Sequence, residues 1–252
     1  MDADYTNTFL SLMKYAYVTC KHHVHVTTIT WIFETKQDKL NIKQFYESFD
    51  VPFVVKTLAD KRKKKHTDGN NNNLFYNQVT LEFSNFSTKS IKIFKNGKVH
   101  ITGLSSLYEC YETTKLVLEW LQQFICVDIM LDLKSQRIAM INVSIHTSKS
   151  FKLKQLQAHF NDDHAHIMKC SYYPDNYPAL KLKFSKGTSA FVFHTGNIIM
   201  SNSCIDALYE DYKNMMTNFP FIETERVPRY NNKYPMLING YHLKDFMSAV
   251  IY

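Results

Sequence analysis

The chain has 252 residues, enough for one large domain or two small ones around a sizeable core. Its 45% hydrophobic and 14% aromatic content excludes a disordered polymer, and the lack of any run of 18 apolar residues argues against a membrane-spanning helix. A formal charge of +7 and a pI near 9.0 favour a polyanionic partner without establishing one.

Along the chain, MDADYTNTFLSLMKYAY opens with acids instead of the basic region of a secretory signal, so it does not read as one, and FLSLMKYAYV has the pattern of an amphipathic helix. Residues 24–35 have the β-branched content of a strand, and LNIKQF (40–45) starts a helix. KRKKKH (61–66) and TDGNNNN (67–73) form a low-complexity loop, read as a solvated segment whose cations suit phosphate contacts or nuclear import. YNQVTLEF (76–83) alternates as a strand. FKNGKVHITG (94–103) follows, and its Asn-Gly pair supplies the positive φ values of a tight hairpin turn. Alternation turns Ile91, Ile93, Val99 and Ile101 to one face and Lys92, Phe94, His100 and Thr102 to the other. LSSLYECYETTKLVLEWLQQF (104–124) predicts a long helix with Ser105 or Ser106 at its N-cap and Leu107, Tyr111, Leu116, Leu118 and Leu121 on its apolar side.

The same order then returns. FKLKQL (151–156) repeats LNIKQF, YPALKLKF (177–184) repeats YNQVTLEF, and SAFVFHTGNIIMSN (189–202) repeats SIKIFKNGKVHITG (90–103). SNSCIDALYEDYKNMMTNF (201–219) closes the copy as a helix through Ile205, Leu208, Tyr212 and Met215. Each copy is strand, helix, three or four antiparallel strands, long helix. In the second copy Val192, Ile198 and Met200 face the helices, and Phe191, Phe193, Ile199 and Ser201 face away. A strand face with no helix over it should be polar unless a ligand or partner covers it. Here it carries four large apolar residues, Phe94, Phe191, Phe193 and Ile199.

The remaining signals are weaker. Five scattered cysteines, Cys20, Cys110, Cys126, Cys170 and Cys204, form no CxxC pair and read as reduced thiols of a cytosolic or nuclear protein. Histidines cluster in KHHVHV (21–26) and HFNDDHAHIMKC (159–170). His159, Asp163, His164, His166 and Cys170 match no closed zinc spacing. Asp162 and Asp163 would serve a metal-dependent nuclease only with a second carboxylate cluster, which the sequence does not supply. No G-x-S-x-G, P-loop or G-x-G-x-x-G occurs, so neither an enzyme nor a cofactor is expected.

At the paired hairpins the sequence resembles the TATA-box-binding protein family, above all the divergent TATA-binding-like proteins of large nucleocytoplasmic DNA viruses, which IAMINVSI (138–145) also resembles. The family's I-F-x-x-G-K strand end and later T-G appear as Ile93-Phe94-Lys95-Asn96-Gly97-Lys98 and Thr102-Gly103. The second copy is worn, to Val192-Phe193-His194-Thr195-Gly196-Asn197 and Ser201-Asn202. Tyr177-Pro178-Ala179-Leu180 stands where the family has Phe-Pro-Gly-Leu, and Tyr76 or its neighbour Phe75 holds that place in the first half.

The resemblance implies an α+β fold, a pseudo-twofold repeat forming a curved antiparallel saddle sheet with helices on the convex face. It divides the chain into an N-terminal extension (1–23), a first repeat (24–125, with the basic Asn-rich loop 56–73), a second repeat (126–219) and a C-terminal extension (220–252). It implies binding and bending of double-stranded AT-rich promoter DNA through the minor groove. Phe94 and Phe193 would be the wedges, with Tyr76 and Tyr177 as weaker partners. Thr102 and Ser201 would approach minor-groove acceptors, Lys98 and Lys183 would keep basic positions, and Asn142 and Thr28 would read the groove. Glu82, Ser105, Asn197 and Cys204 fall where the family has cations, which lowers the expected affinity. The implied partners are that DNA, transcription initiation factors and RNA polymerase, with no membrane. The implied location is a cytoplasmic viral factory, the nucleus or the virion. The alternative is a protein-interaction scaffold on the same fold that has lost or weakened DNA binding.

Overall fold

The computed structural model describes residues 23–59, 77–83, 89–125, 128–147, 150–161, 166–217, 237–238 and 241–242. The chain runs β1 (His23–Thr35), α1 (Ile42–Ser48), β2 (Val54–Ala59), β3 (Gln78–Phe83), β4 (Ser90–Phe94), β5 (Lys98–Leu104) and α2 (Leu107–Ile125). It repeats as β6 (Leu131–His146), α3 (Leu153–Asn161), β7 (Ile167–Ser171), β8 (Ala179–Phe184), β9 (Ser189–Phe193), β10 (Asn197–Asn202) and α4 (Ile205–Thr217). A short hairpin of β11 (Leu237–Ile238) and β12 (Tyr241–His242) follows. The class is α+β and antiparallel, as the sequence predicts, with four strands after the first helix of each copy. Two compact units are present, residues 29–139 and residues 1–28 with 140–252. Their limits fall inside the long strands β1 and β6, not at the 125/126 join between the sequence repeats.

In the first unit (29–139) β2, β3, β4, β5 and β1 pair in that order. The period of two sets the core: Val79, Leu81, Ile91, Ile93, Val99 and Ile101 are completely buried. Each such side chain contributes roughly 1.5–3 kcal/mol over leaving it in water. Rings close this layer, Phe49 lying 5.3 Å from Trp120 edge-on, 5.1 Å from Phe45 and 5.1 Å from Phe124. Asn41 caps α1, its Oδ1 accepting from the Gln44 N–H at 3.2 Å.

The long helix α2 is present, but its buried stripe differs from the expected one. Cys110, Thr113, Thr114, Val117, Trp120, Leu121 and Ile125 are buried, so of the five residues expected on the apolar side only Leu121 is. Threonines hid the stripe, because they pack inward only when their hydroxyls are satisfied. Thr114 donates to the Cys110 carbonyl at 2.7 Å and accepts from the Trp31 indole at 3.1 Å. Ser106 is the cap, accepting from the Glu109 N–H at 3.1 Å, and the Glu109 carboxylate accepts from the Ser105 N–H at 2.6 Å. Burial pushes the Glu109 carboxyl up, but the hydrogen bonds from Lys89 and Ser105 prevail and hold it below its ordinary value. Burial raises the Cys110 thiol to about 12, which suits a packing role.

The second unit repeats the scheme. Here β6, β10, β9, β8 and β7 are neighbours in that order, and Leu180, Val192, Ile198 and Met200 form the fully buried layer. Ile205, Leu208, Tyr212 and Met215 of α4 are all buried, as helical spacing predicts. Both predicted long helices start too early, at 104 and 201, because β5 continues to Leu104 and β10 to Asn202.

One polar group in this core is out of place. Asp211 on α4 is 1% exposed, and neither carboxylate oxygen has a hydrogen-bond partner. Burial raises its pKa, and the nearby Thr188 hydroxyl, Lys186 and His166 pull it back by less than burial pushes it up. The folded state then holds this proton to higher pH than the unfolded state does, so stability falls as pH rises through the interval between the two values. Asp211→Asn is expected to raise the urea midpoint at pH 7. That gain shrinks as pH falls through the raised pKa toward the ordinary aspartate range, which unfolding curves at several pH values check.

Candidate nucleic-acid interface

Each hairpin that carries a proposed wedge is fixed to the long strand beside it. In the first unit the Thr35 N–H donates to the Gly97 carbonyl at 2.9 Å, and the Leu40 N–H donates to Lys95 at 2.7 Å. In the second the Thr147 N–H donates to Gly196 at 3.1 Å, and the Phe151 N–H donates to His194 at 2.9 Å. These matching bonds set the internal equivalence of the copies, which is 99 residues for the hairpins (196 − 97) and 112 for β1 with β6 (147 − 35). Register follows from it: Trp31 pairs with Ile101 as Val143 pairs with Met200.

On the face of the second unit turned away from the buried layer, Tyr177 stands 5.7 Å from Phe191 and 6.2 Å from Phe193, edge-on to both. The Lys181 ammonium lies 4.9 Å from the Tyr177 ring centre. That geometry leaves an aromatic surface under a cation, since a ring's negative face attracts the ammonium. Tyr177 and Ile199 are more than a third exposed. Ser201 pairs with Asn142 across β10 and β6. Lys183 is held at the β8–β9 turn, donating to the Gly187 carbonyl at 2.6 Å and to Ser189 Oγ at 3.0 Å. His146 Nδ1 lies 2.8 Å from Asn197 Oδ1, and its ring stacks on His25 at 5.2 Å. Burial first, then His146, lowers the His25 pKa. Among the described residues of this face there is no carboxylate.

The corresponding face of the first unit is built differently. The Phe94 ring lies 5.0 Å from His100, and Phe94 pairs with Gln78, a residue that is only 3% exposed. Lys98 is not available as a simple cation, because Glu34 forms an ion pair with it at 3.1 Å. Thr102 donates to the Ser90 carbonyl at 3.5 Å, a marginal bond that leaves the hydroxyl adaptable. His100 is held below the ordinary histidine range by burial and by Lys98, Lys92 and Arg137, with Glu34 opposing.

Thus Phe94, Thr102 and Lys98 come together on one unit, and Phe193, Tyr177, Ser201, Lys183 and Asn142 on the other. Tyr76 and Phe75, the Lys-rich loop, Asp162, Asp163 and His164 lie outside the described residues. Among the described residues no three His, Cys, Asp or Glu side chains are grouped to hold a metal.

Register also corrects the groove-reading pair. The first-unit counterpart of Asn142 is Thr30, not Thr28. Strand β1 carries an irregularity between Ile29 and Trp31, and that extra residue is invisible to a count along the sequence. Lys181 was missed as well, although its alternation with Phe191 across β8 and β9 was the available signal.

No protein-family model matches the chain. A protein described as TATA-box-binding protein-like, from Acanthamoeba polyphaga mimivirus, is 25% identical over 197 residues, covering 67% of this chain and 53% of that protein. The chain therefore spans about half the length of this curated relative. The solved structure of Methanococcus jannaschii TBP superposes with a TM-score of 0.55 at 10% identity, covering 78% of this chain and 97% of TBP. The chain is TATA-box-binding-protein-like. The structural likeness supports the fold, and the mimivirus relative supports a divergent viral member.

Two glycines test how tightly the hairpins are set. Gly97 has φ +79°, and a Cβ there would meet Thr35 Oγ1 at 2.5 Å and the Gln37 carbonyl at 2.6 Å. Gly187 has φ +91° with nothing within 4 Å. Gly187→Ala is expected to cost about 1 kcal/mol from the left-handed backbone alone, and Gly97→Ala roughly 2–4 kcal/mol, as read by chemical denaturation.

Proposed function

We propose that this chain is a TATA-binding-protein-like transcription initiation factor that binds and bends AT-rich DNA through the minor groove. The observation carrying the proposal is the Tyr177–Phe191–Phe193 cluster under Lys181, an apolar and basic strand face opposite the one its own helices bury. Unstacking a base step costs a few kcal/mol, and a flat ring offsets part of that by stacking on the opened bases. Phe193 supplies the ring in one unit and Phe94 in the other. Thr102 and Ser201 offer hydroxyls to the acceptors that A·T and T·A share in the minor groove. Tyr177 is the secondary wedge, its hydroxyl limiting deep insertion. The mimivirus relative's name and the fold support this reading. Transcription initiation factors and RNA polymerase are the partners it implies, in a viral factory, nucleus or virion.

A second reading has its own observation. Lys98 is paired with Glu34, and Asn197 occupies the equivalent place, so phosphate contacts are fewer than in a fully basic face. A protein-interaction scaffold with weakened DNA binding fits that deficit.

Bending of short AT-rich and GC-rich duplexes, followed by end-to-end energy transfer across a salt series, separates the two. The initiation-factor reading expects preferential bending of the AT-rich duplex, with log K falling linearly against log salt by about 0.9 per phosphate neutralised. Phe94→Ala with Phe193→Ala is expected to abolish bending. No DNA affinity at low salt in the unaltered chain would leave the scaffold. Glu34→Gln, which releases Lys98, is expected to steepen the salt slope by about one.

A further inference from the structure

The proposed reading leaves open which base pairs each unit accepts, and the two faces differ at the place that decides it. His100 pairs with Lys92 across β5 and β4, and Ile199 pairs with Phe191 across β10 and β9. Both lie three residues beyond a turn glycine, Gly97 or Gly196, that accepts the equivalent strand hydrogen bond. The same position in the fold is therefore an imidazole beside a lysine in one unit and an aliphatic chain beside a phenylalanine in the other.

Seen from the minor groove, G·C differs from A·T by the guanine N2 amino group, a hydrogen-bond donor. Against Ile199, 36% exposed and without a polar side-chain atom, that donor loses water and gains nothing. His100 differs in kind. Its ring lies 5.0 Å from the Phe94 ring, beside the proposed wedge, and its Nε2 has no hydrogen-bond partner. A neutral imidazole has one ring nitrogen that accepts a hydrogen bond. The charged groups around it, Lys92, Lys98 and Arg137 against Glu34, add to burial in favouring the neutral form at pH 7.

Resting on the DNA-binding reading, we propose that the two units have unlike base preferences. The Ile199 unit requires A·T, and the His100 unit accepts G·C by a hydrogen bond from the guanine amino group to the imidazole. The target is then an asymmetric sequence, strict at one end and tolerant at the other.

Equilibrium binding of the full chain to four duplexes tests this: one all A·T, one with three G·C pairs in the left half, one with them in the right half, and one with them in both. Each singly substituted duplex is expected to bind within about threefold of the all-A·T duplex, because the protein sets the His100 unit over the G·C half. The doubly substituted duplex is expected to bind at least tenfold more weakly. In His100→Ile the ratio of all-A·T to singly substituted affinity is expected to rise to tenfold or more. Inosine, which lacks the N2 amino group, is expected to return that ratio to about threefold. His100→Gln, which keeps an acceptor, retains the tolerance, and Ile199→His extends it to the doubly substituted duplex. Tenfold loss on either singly substituted duplex in the unaltered chain overturns the proposal, as does unchanged tolerance in His100→Ile. Failure to bind even the all-A·T duplex overturns the DNA-binding reading itself, a different outcome in the same assay.

Discussion

The hydrogen bond from a strand-end threonine to a turn glycine, Thr35 to Gly97 and Thr147 to Gly196, is the constraint on which the rest depends. Strand side chains alternate faces, so a slip of one residue would exchange every core residue of a hairpin for every site residue. The turn carbonyl fixes the hairpin against the long strand and removes that freedom. Once it is set, Ile91, Ile93, Val99 and Ile101 must enter the core and Phe94, His100 and Thr102 must leave it. In the first copy only glycine meets the geometry, because a methyl group at residue 97 would strike the Gln37 carbonyl. Core and site are thus two consequences of one register.

That dependence explains what the sequence revealed. Alternation and the Asn-Gly turn are local, and they placed β4, β5, β9 and β10 with the correct faces. The repeat was visible because each copy obeys the same local rules in the same order. Features requiring knowledge of a neighbour were hidden. The buried stripe of α2 runs through Thr113 and Thr114, which look like surface residues until Trp31 is seen donating to Thr114. Thr28 was taken for the counterpart of Asn142 because the irregularity in β1 shifts the count, and only pairing with β5 places Thr30 there. Lys98 looked like a retained cation, and its ion pair with Glu34 joins residues 64 positions apart (98 − 34).

The same limit applies to judging which copy is degraded. By motif, the second copy has lost Lys98 to Asn197 and the Thr-Gly end to Ser201-Asn202. By surface chemistry the order reverses. The counterpart of Lys92 is Phe191, of Thr80 is Lys181 and of Glu82 is Lys183, so the worn copy gains a ring and two cations and loses a carboxylate. The neutral pair of His146 with Asn197 occupies the place of the Glu34–Lys98 ion pair, so two charges are absent from that position.

Free energy gives these exchanges their direction. An exposed ion pair such as Glu34–Lys98 contributes at most about 1 kcal/mol to folding, because water already solvates both partners. Facing a phosphate, however, Glu34 is a full negative charge that must be desolvated or repelled, and its effect on a polyanion exceeds its effect on the fold. Replacing such a pair with a neutral hydrogen bond therefore costs little stability and removes a repulsive element. An apolar ring at Phe191 costs exposure in the free protein and is recovered only when a flat partner covers it. A copy under selection for folding alone would have no use for that ring beside Tyr177 and Phe193, whereas a copy that meets stacked bases would. The worn motif and the aromatic face are compatible once the motif is understood as one solution for the turn, and the face as the surface that a bound duplex would select.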